Sequence, residues 1–310
     1  MRIFDILSPI LLLVLLGVLL ARMGFLGAVF MRELNKLTFW ILLPAALFRL
    51  TAVSGDAGPE VLGIASLVLA ATLVVAVAGW LGSTWLKLPA NSHGSVSQSA
   101  FRANVAYIGL PVLTYAFEGM AGGKQQLSTA VVVMAFLTSI YNVLAVIVLQ
   151  AARHRISFQS ILPGLRAIFT NPILISCVLG LIFNATDREL PLFLDRALRT
   201  LGDAAVPSAL VCIGGSIAFI KLGRHMAGIG LAVSLKLIAV PAIVFLLGTF
   251  FGMNQIEMRI ALVFAACPTA AAAFVMAQQM DGDEALTSGA IVMSTIFSAI
   301  PLIVVLWLTK

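Results

Sequence analysis

Charge is what this chain has least of. Only 10% of its 310 residues are Asp, Glu, Lys or Arg, against about 25% in an ordinary soluble domain. A soluble globule cannot present so uncharged a surface, which excludes a soluble enzyme, a nucleic-acid binder and a disordered tail. Histidine occurs three times, at His93, His154 and His225, too scattered for a metal site. Cysteine also occurs three times, at Cys177, Cys212 and Cys267. The count is odd, the spacing suits no metal, and all three lie in apolar runs, so they read as small core residues. No HExxH, paired aspartates or Ser/His arrangement lies inside an apolar run, so neither a membrane-embedded enzyme nor a cofactor is expected.

What the chain has in abundance is apolar side chain, 61% of all residues, with a mean hydropathy of +1.09. Lipid is therefore the solvent, and the long Leu/Ala/Val-rich runs point to helices rather than to a barrel. Windows of about 19 residues pick out ten spans, near 5–23, 34–53, 61–86, 97–117, 127–150, 168–184, 199–220, 229–251, 257–278 and 286–308. Spans 4 and 9 are the weakest, because each carries Pro and small or polar residues inside the run. Counting Lys and Arg places both termini outside and the Arg153-His154-Arg155 loop in the cytoplasm of a multi-pass inner-membrane protein. The net charge of +6 belongs to that cytoplasmic face and not to nucleic-acid binding.

The two halves resemble each other. A shift of 163 residues puts Pro9 on Pro172, Gly17 on Gly180, Pro44 on Pro207 and Leu47 on Leu210. A shift of 157 puts Arg102 on Arg259, Pro111 on Pro268 and Phe117 on Phe274. Five spans per half is an odd number, so the second half enters the membrane inverted, the layout of secondary transporters. The expected architecture is a polytopic all-α membrane protein of ten helices, a 5+5 inverted repeat of residues 1–155 and 164–310.

Pro111 and Pro268 each interrupt a span, and a broken helix in lipid is tolerable only where freed carbonyls face protein or a wet cavity. Half-helices starting near each proline would aim electropositive N-terminal ends at the midplane and favour an anion. Asn104 precedes Pro111 by two turns and reads equally as a ligand to a carboxylate or as an interhelical hydrogen bond. Thr269 offers a hydroxyl or a local backbone cap. Ser139, Asn142 and Ser298 are lining candidates, although packing is the commoner role of such residues. Arg102 and Arg259 read as side chains snorkelling to headgroups, with attraction of an anion at each mouth as the rival, and Lys236 reads as snorkelling too.

Span 4, with Asn104, Gly109 and Pro111 in the pattern N-x4-G-x-P, resembles the fourth helix of the auxin efflux carrier family. Ala265-Ala266-Cys267-Pro268 through Phe274-Val275-Met276-Ala277 resembles its ninth, and Leu286-Thr287-Ser288-Gly289, Pro301, Pro44 and Phe48 fit as well. The resemblance implies scaffold helices 1, 2, 6 and 7, which could pair in a homodimer, and transport helices 3–5 and 8–10, with helices 4 and 9 crossing at their prolines. It implies a carrier of small organic anions of the malate, malonate or auxin type. The candidate substrate-binding residues are Asn104, Tyr107, Gly109, Pro111, Ser139, Asn142, Cys267, Pro268 and Thr269, with no metal. The chain lacks the large central loop of the plant carriers and has no acidic residue within span 3, which favours a small carboxylate over auxin.

Protons or sodium are the candidate coupling ions. A sodium-driven organic-anion symporter of the bile-acid type is the main rival, with Ser97, Gln98, Ser99 and Glu118 as possible oxygen ligands. A channel would want charge rings or a filter loop, and a broken-helix repeat suits alternating access better.

Overall fold

A computed structural model describes residues 3–53, 58, 60–153, 169–186, 188–219 and 225–309. His154, Arg155, Arg166, Lys221 and Arg224, which carry much of the expected cytoplasmic charge, lie outside the described residues. So do Arg2, Asp56, Asp187 and Lys310.

The described residues are helical except for turns, short linkers and one isolated bridge. In chain order the helices begin with α1 (Ile3–Arg22), α2 (Ala28–Leu37), a π-helical turn Thr38–Leu42, α3 (Leu43–Val53), α4 (Glu60–Trp85) and α5 (Ala90–Phe101). A second π turn, Val105–Gly109, leads into α6 (Leu110–Phe117), and α7 (Gly123–Ala151) follows. Next come α8 (Pro172–Asn184), α9 (Leu192–Asp203), α10 (Ala205–Phe219), α11 (Met226–Ser234), a third π turn Leu235–Ala239 and α12 (Val240–Phe250). The last four are α13 (Gln255–Ala266), α14 (Ala272–Gln279), α15 (Glu284–Phe297) and α16 (Ala299–Leu308).

Six continuous helical stretches are long and apolar enough to cross a membrane: Ile3–Arg22, Ala28–Val53, Glu60–Trp85, Gly123–Ala151, Leu192–Phe219 and Met226–Phe250. Helices α15 and α16, bent by 46° at their junction, make a seventh candidate when taken as one span. Val105–Phe117 and Pro172–Asn184 are shorter apolar helices.

The three π turns share one cause. Each ends two residues before a proline: Leu42 before Pro44, Gly109 before Pro111, Ala239 before Pro241. A proline has no N–H to give to the carbonyl four residues back, and its ring pushes against that carbonyl. Widening the preceding turn relieves the clash. The Leu43 and Val240 amides then bond five residues back, to Thr38 and Leu235.

By contact density the chain divides into two compact units. The first holds residues 1–62, 106–136 and 169–219; the second holds 63–105, 137–168 and 220–310. In the first unit α1 packs on α10 and α3 on α8. Glycine permits both approaches: a Cβ at Gly17 would strike the Val211 carbonyl, one at Gly214 the Val14 carbonyl, and one at Gly180 Thr51 and the Phe48 carbonyl. Close approach at small residues is how helices pack tightly where water supplies no driving force. Arg49 on α3 and Asp195 on α9 add an ion pair at 2.8 Å. The second unit is built from nearly all of α4, from α5, the second half of α7 and α11–α16. In it Asp283 caps the start of α15 through Leu286 and accepts from Ser92 at 2.7 Å.

Gly17→Val and Gly214→Leu are each expected to cost about 1–3 kcal/mol through overpacking, read as a lower midpoint of thermal unfolding in detergent. Gly63→Ala, where an added Cβ meets open space, is expected to leave that midpoint unchanged or raise it.

Candidate functional site

Two helices of the second unit end inside the protein and start again after an unwound segment. Helix α13 stops at Ala266 because Cys267 precedes a proline and is pushed to an extended conformation (φ −60°, ψ 145°). Pro268 therefore sits in the gap itself, ahead of α14. The other gap holds no proline. Helix α5 ends at Phe101, Arg102 is extended (φ −73°, ψ 90°), and helical structure resumes at Val105. Pro111 lies two residues beyond the second π turn, inside the continuous helix Val105–Phe117. An α-helical segment starts beside each proline, at Leu110 and at Ala272, but only Pro268 stands at a gap. At Pro111 a π turn absorbs the missing hydrogen bond, so the 157-residue register that pairs the two prolines does not pair the two gaps.

The gaps are joined to each other. The Asn104 amide donates to the Pro268 carbonyl at 2.8 Å, and the Ala270 amide donates to the Arg102 carbonyl at 2.9 Å. These two bonds form an antiparallel bridge centred on Ala103 and Thr269. Side chains tie the two segments together further. The Thr269 hydroxyl donates to the Ser99 carbonyl at 2.7 Å, the Thr269 amide to Ser294 Oγ at 3.0 Å, and Gln98 Nε2 to the Ala273 carbonyl at 3.1 Å. Cys267 Sγ reaches back to the Val263 carbonyl at 3.1 Å.

The charges around this crossing are of one sign. Arg102 is 5% exposed, so it does not snorkel. Its Nη2 donates to Asn142 Oδ1 at 2.5 Å, while Nη1 faces the Tyr141 carbonyl at 3.4 Å and Met276 Sδ at 2.9 Å. Lys236, in the third π turn, is fully buried and donates to the Ala265 carbonyl at 2.7 Å. It does not snorkel either. Among the described residues neither cation has a carboxylate within 4.0 Å. The described carboxylates of this unit sit at helix ends. Glu257 is in the capping box of α13, Asp283 caps α15, and Asp281 and Glu284 flank that cap. Arg259 is half-buried and reaches Thr309 near the C-terminus.

Of the residues singled out in the sequence, Asn104, Ser139, Asn142, Cys267, Pro268 and Thr269 belong to the second unit, where all but the half-buried Asn142 are buried. Tyr107, Gly109 and Pro111 belong to the first. There the Tyr107 hydroxyl is engaged by Asn35 Oδ1 at 2.7 Å. The Thr269 hydroxyl and the Asn142 carbonyl oxygen already have protein partners. Sequence reasoning read Arg102 and Lys236 as snorkelling and kept attraction of an anion as the rival reading for Arg102; the structure buries both. The available signal was their depth: Lys236 stands eleven places into a stretch that runs from Met226 to Phe250. A hollow of about 500 Å³ lies elsewhere in this unit, lined by Leu237, Pro241, Phe245, Leu262, Phe297 and Pro301 among others. It has no charged lining and suits hydrocarbon rather than a carboxylate.

The family model described as "Membrane transport protein" matches residues 3–306. The chain belongs to this family, that of the auxin efflux carriers. One relative of this membrane transport protein, from Rhizobium meliloti (strain 1021), bears the name "Putative malonate transporter". It is 27% identical over 316 residues, spanning 96% of this chain and 93% of that protein. An "Uncharacterized transporter" of Methanothermobacter thermautotrophicus is 27% identical over 300 residues, 94% of each chain. Another uncharacterized transporter, from Methanocaldococcus jannaschii, is 25% identical over 315 residues, 98% of this chain and 97% of its own. The family points to transport of a small molecule across a membrane rather than to catalysis.

Thr269→Val is expected to leave the Ser99 carbonyl unpaired in the interior of this transporter. The cost is about 1–3 kcal/mol, measurable as a lower thermal midpoint in detergent with the expression level retained.

Proposed function

We propose that this membrane transport protein is a secondary transporter of a small organic carboxylate of the malonate or malate type, and that the crossing of residues 102–104 with 268–270 is where the anion binds. The observation that carries this reading is the Arg102 guanidinium, buried at the crossing and held by Asn142, with no carboxylate within 4.0 Å among the described residues. An ionised group in the interior is costly unless its charge is answered. An anionic substrate would supply the missing charge each time it bound. The restart of helix at Val105 and at Ala272 adds electropositive N-terminal ends on the same side of the balance. The name of the Rhizobium relative supports a dicarboxylate.

Alternating access needs two bodies and a scaffold with two related states. The reading assigns the second unit, with its crossing, as the body that carries the anion, and the first unit as the scaffold. The division by contact supports this: α1–α3 and α8–α10 group together, and α11–α16 group with α4 and α5. It also supports the ten-span inverted repeat. Gly17 and Gly180, 163 residues apart, each admit a helix from the other half, α10 at Gly17 and α3 at Gly180.

The test is uptake of labelled malonate, malate, succinate and indole-3-acetate into proteoliposomes. A small dicarboxylate is expected to be carried. Arg102→Met should lower its kcat/KM by about 100-fold or more, since a lost charge-assisted contact in a dry site is worth ~3 kcal/mol. Asn104→Ala should lower transport with the folded protein retained. Normal kinetics in both variants would remove the crossing from the binding site, and uptake of none of the four acids would remove the substrate class.

A further inference from the structure

Lys236 is the least expected residue in the molecule. Its side chain is fully buried in the turn Leu235–Ala239, between two apolar helices. That turn packs against α5, α11, α12, α13 and α15. The titratable groups on those elements are His93 on α5, Glu257 and Arg259 on α13, and Glu284 on α15, with Cys267 just past the end of α13. His93 is bonded to Ser83, Glu257 belongs to the capping box at the far end of α13, and Glu284 lies in the first turn of α15. Among the described residues no carboxylate lies within 4.0 Å of the ammonium. A salt bridge is therefore not what holds the charge.

What holds it is the broken end of a helix. The last carbonyls of any α-helix lack intrahelical donors and carry the negative end of its dipole. At the end of α13 the chain makes this worse, because Pro268 has no N–H to return and there is no water in a bilayer core to substitute. Cys267 Sγ takes the Val263 carbonyl, and the Lys236 ammonium takes the Ala265 carbonyl at 2.7 Å. In transporters with broken helices such C-terminal carbonyls are where a coupling cation binds. Here a covalently attached cation stands at that position.

We propose that the Lys236 ammonium is this transporter's built-in substitute for a co-transported alkali cation, seated on the carbonyl end of α13, so that substrate movement does not draw on sodium. The inference rests on the transport reading above and goes beyond it. It names the residue that replaces the coupling ion and decides against the sodium-symport alternative. The carbonyl end of α13 keeps a cation whether or not substrate is bound, which leaves the charge on Arg102 for the anion.

The experiment uses the full chain in proteoliposomes with malonate as the transported probe, in sodium or in choline medium, together with thermal unfolding in detergent. Wild-type uptake is expected to be the same in both media to within about twofold. Lys236→Ala, which empties the ammonium's place, is expected to lose about tenfold or more in choline and to regain part of it when methylammonium or sodium is added. The same cations should raise the thermal midpoint of Lys236→Ala and leave that of the wild type unmoved, as binding to the folded state requires. Lys236→Met fills the space with an apolar chain and should not be rescued.

Sodium-dependent uptake by the wild type would overturn the proposal and direct attention to Gln98 Oε1 and Ser99 Oγ, two buried oxygens with no hydrogen-bond partner among the described residues. Wild-type rates in Lys236→Ala without added cation would overturn it too. So would a folded Lys236→Ala protein that gains nothing from either cation in transport or in stability, for the ammonium would then be a packing group. If the variants do not fold, the wild-type response to sodium decides. If the wild type moves no carboxylate at all, the substrate reading fails, while the thermal response of Lys236→Ala to methylammonium still tests Lys236.

Discussion

Two backbone hydrogen bonds, Asn104 to Pro268 and Ala270 to Arg102, make the rest of the second unit possible. Unwinding a helix in hydrocarbon strands amides and carbonyls that no water can reach, and each stranded group costs several kcal/mol. A single broken helix would bear that cost alone. Two that cross satisfy each other, as edge strands do in a sheet, and further ends are met by Thr269, Ser294 and Lys236. The crossing is thus a structural necessity before it is a binding site. Its by-product is a set of helix ends and buried cations gathered within one unit.

Polar side chains in α5 serve the same constraint. Ser92, Ser95, Ser97, Gln98 and Ser99 are all buried, which would be unfavourable in an ordinary core. Ser97 donates to the Ala76 carbonyl on α4, Gln98 to the Ala273 carbonyl on α14, and Ser92 to the Asp283 cap of α15. A weakly hydrophobic span is affordable in lipid when its polar groups bind neighbouring helices rather than lipid. The weak hydropathy of spans 4 and 9 and their central place in the unit therefore have one origin.

Charge follows a similar logic. The carboxylates of the second unit are spent at helix starts, where the dipole favours them. The cations Arg102 and Lys236 lie inside, at carbonyls and an amide oxygen. That separation leaves the interior electropositive. A site of this kind discriminates by charge first, and contacts such as the Asn104 side chain would then refine shape.

Much of this was legible in the sequence. Hydropathy alone excluded a soluble protein and pointed to apolar helices, and the weakness of spans 4 and 9 marked which two are interrupted. Cys267-Pro268 located one break correctly, because a proline restricts the residue before it by local sterics. The break at Arg102–Asn104 was not legible. Nothing in Phe101-Arg102-Ala103-Asn104 forbids a helix, and that segment opens because residues 268–270, far along the chain, offer it better partners. Pro111 misled for the complementary reason, since a π turn can absorb a proline without breaking the helix. Arg102 and Lys236 were read as snorkelling because sequence shows how far a long side chain can reach and not which way it points. Composition and local sterics determined the solvent, the helices and one interruption. Only the tertiary structure decided the second interruption and the direction of the two buried cations, because both depend on hydrogen-bond partners that folding alone brings within reach.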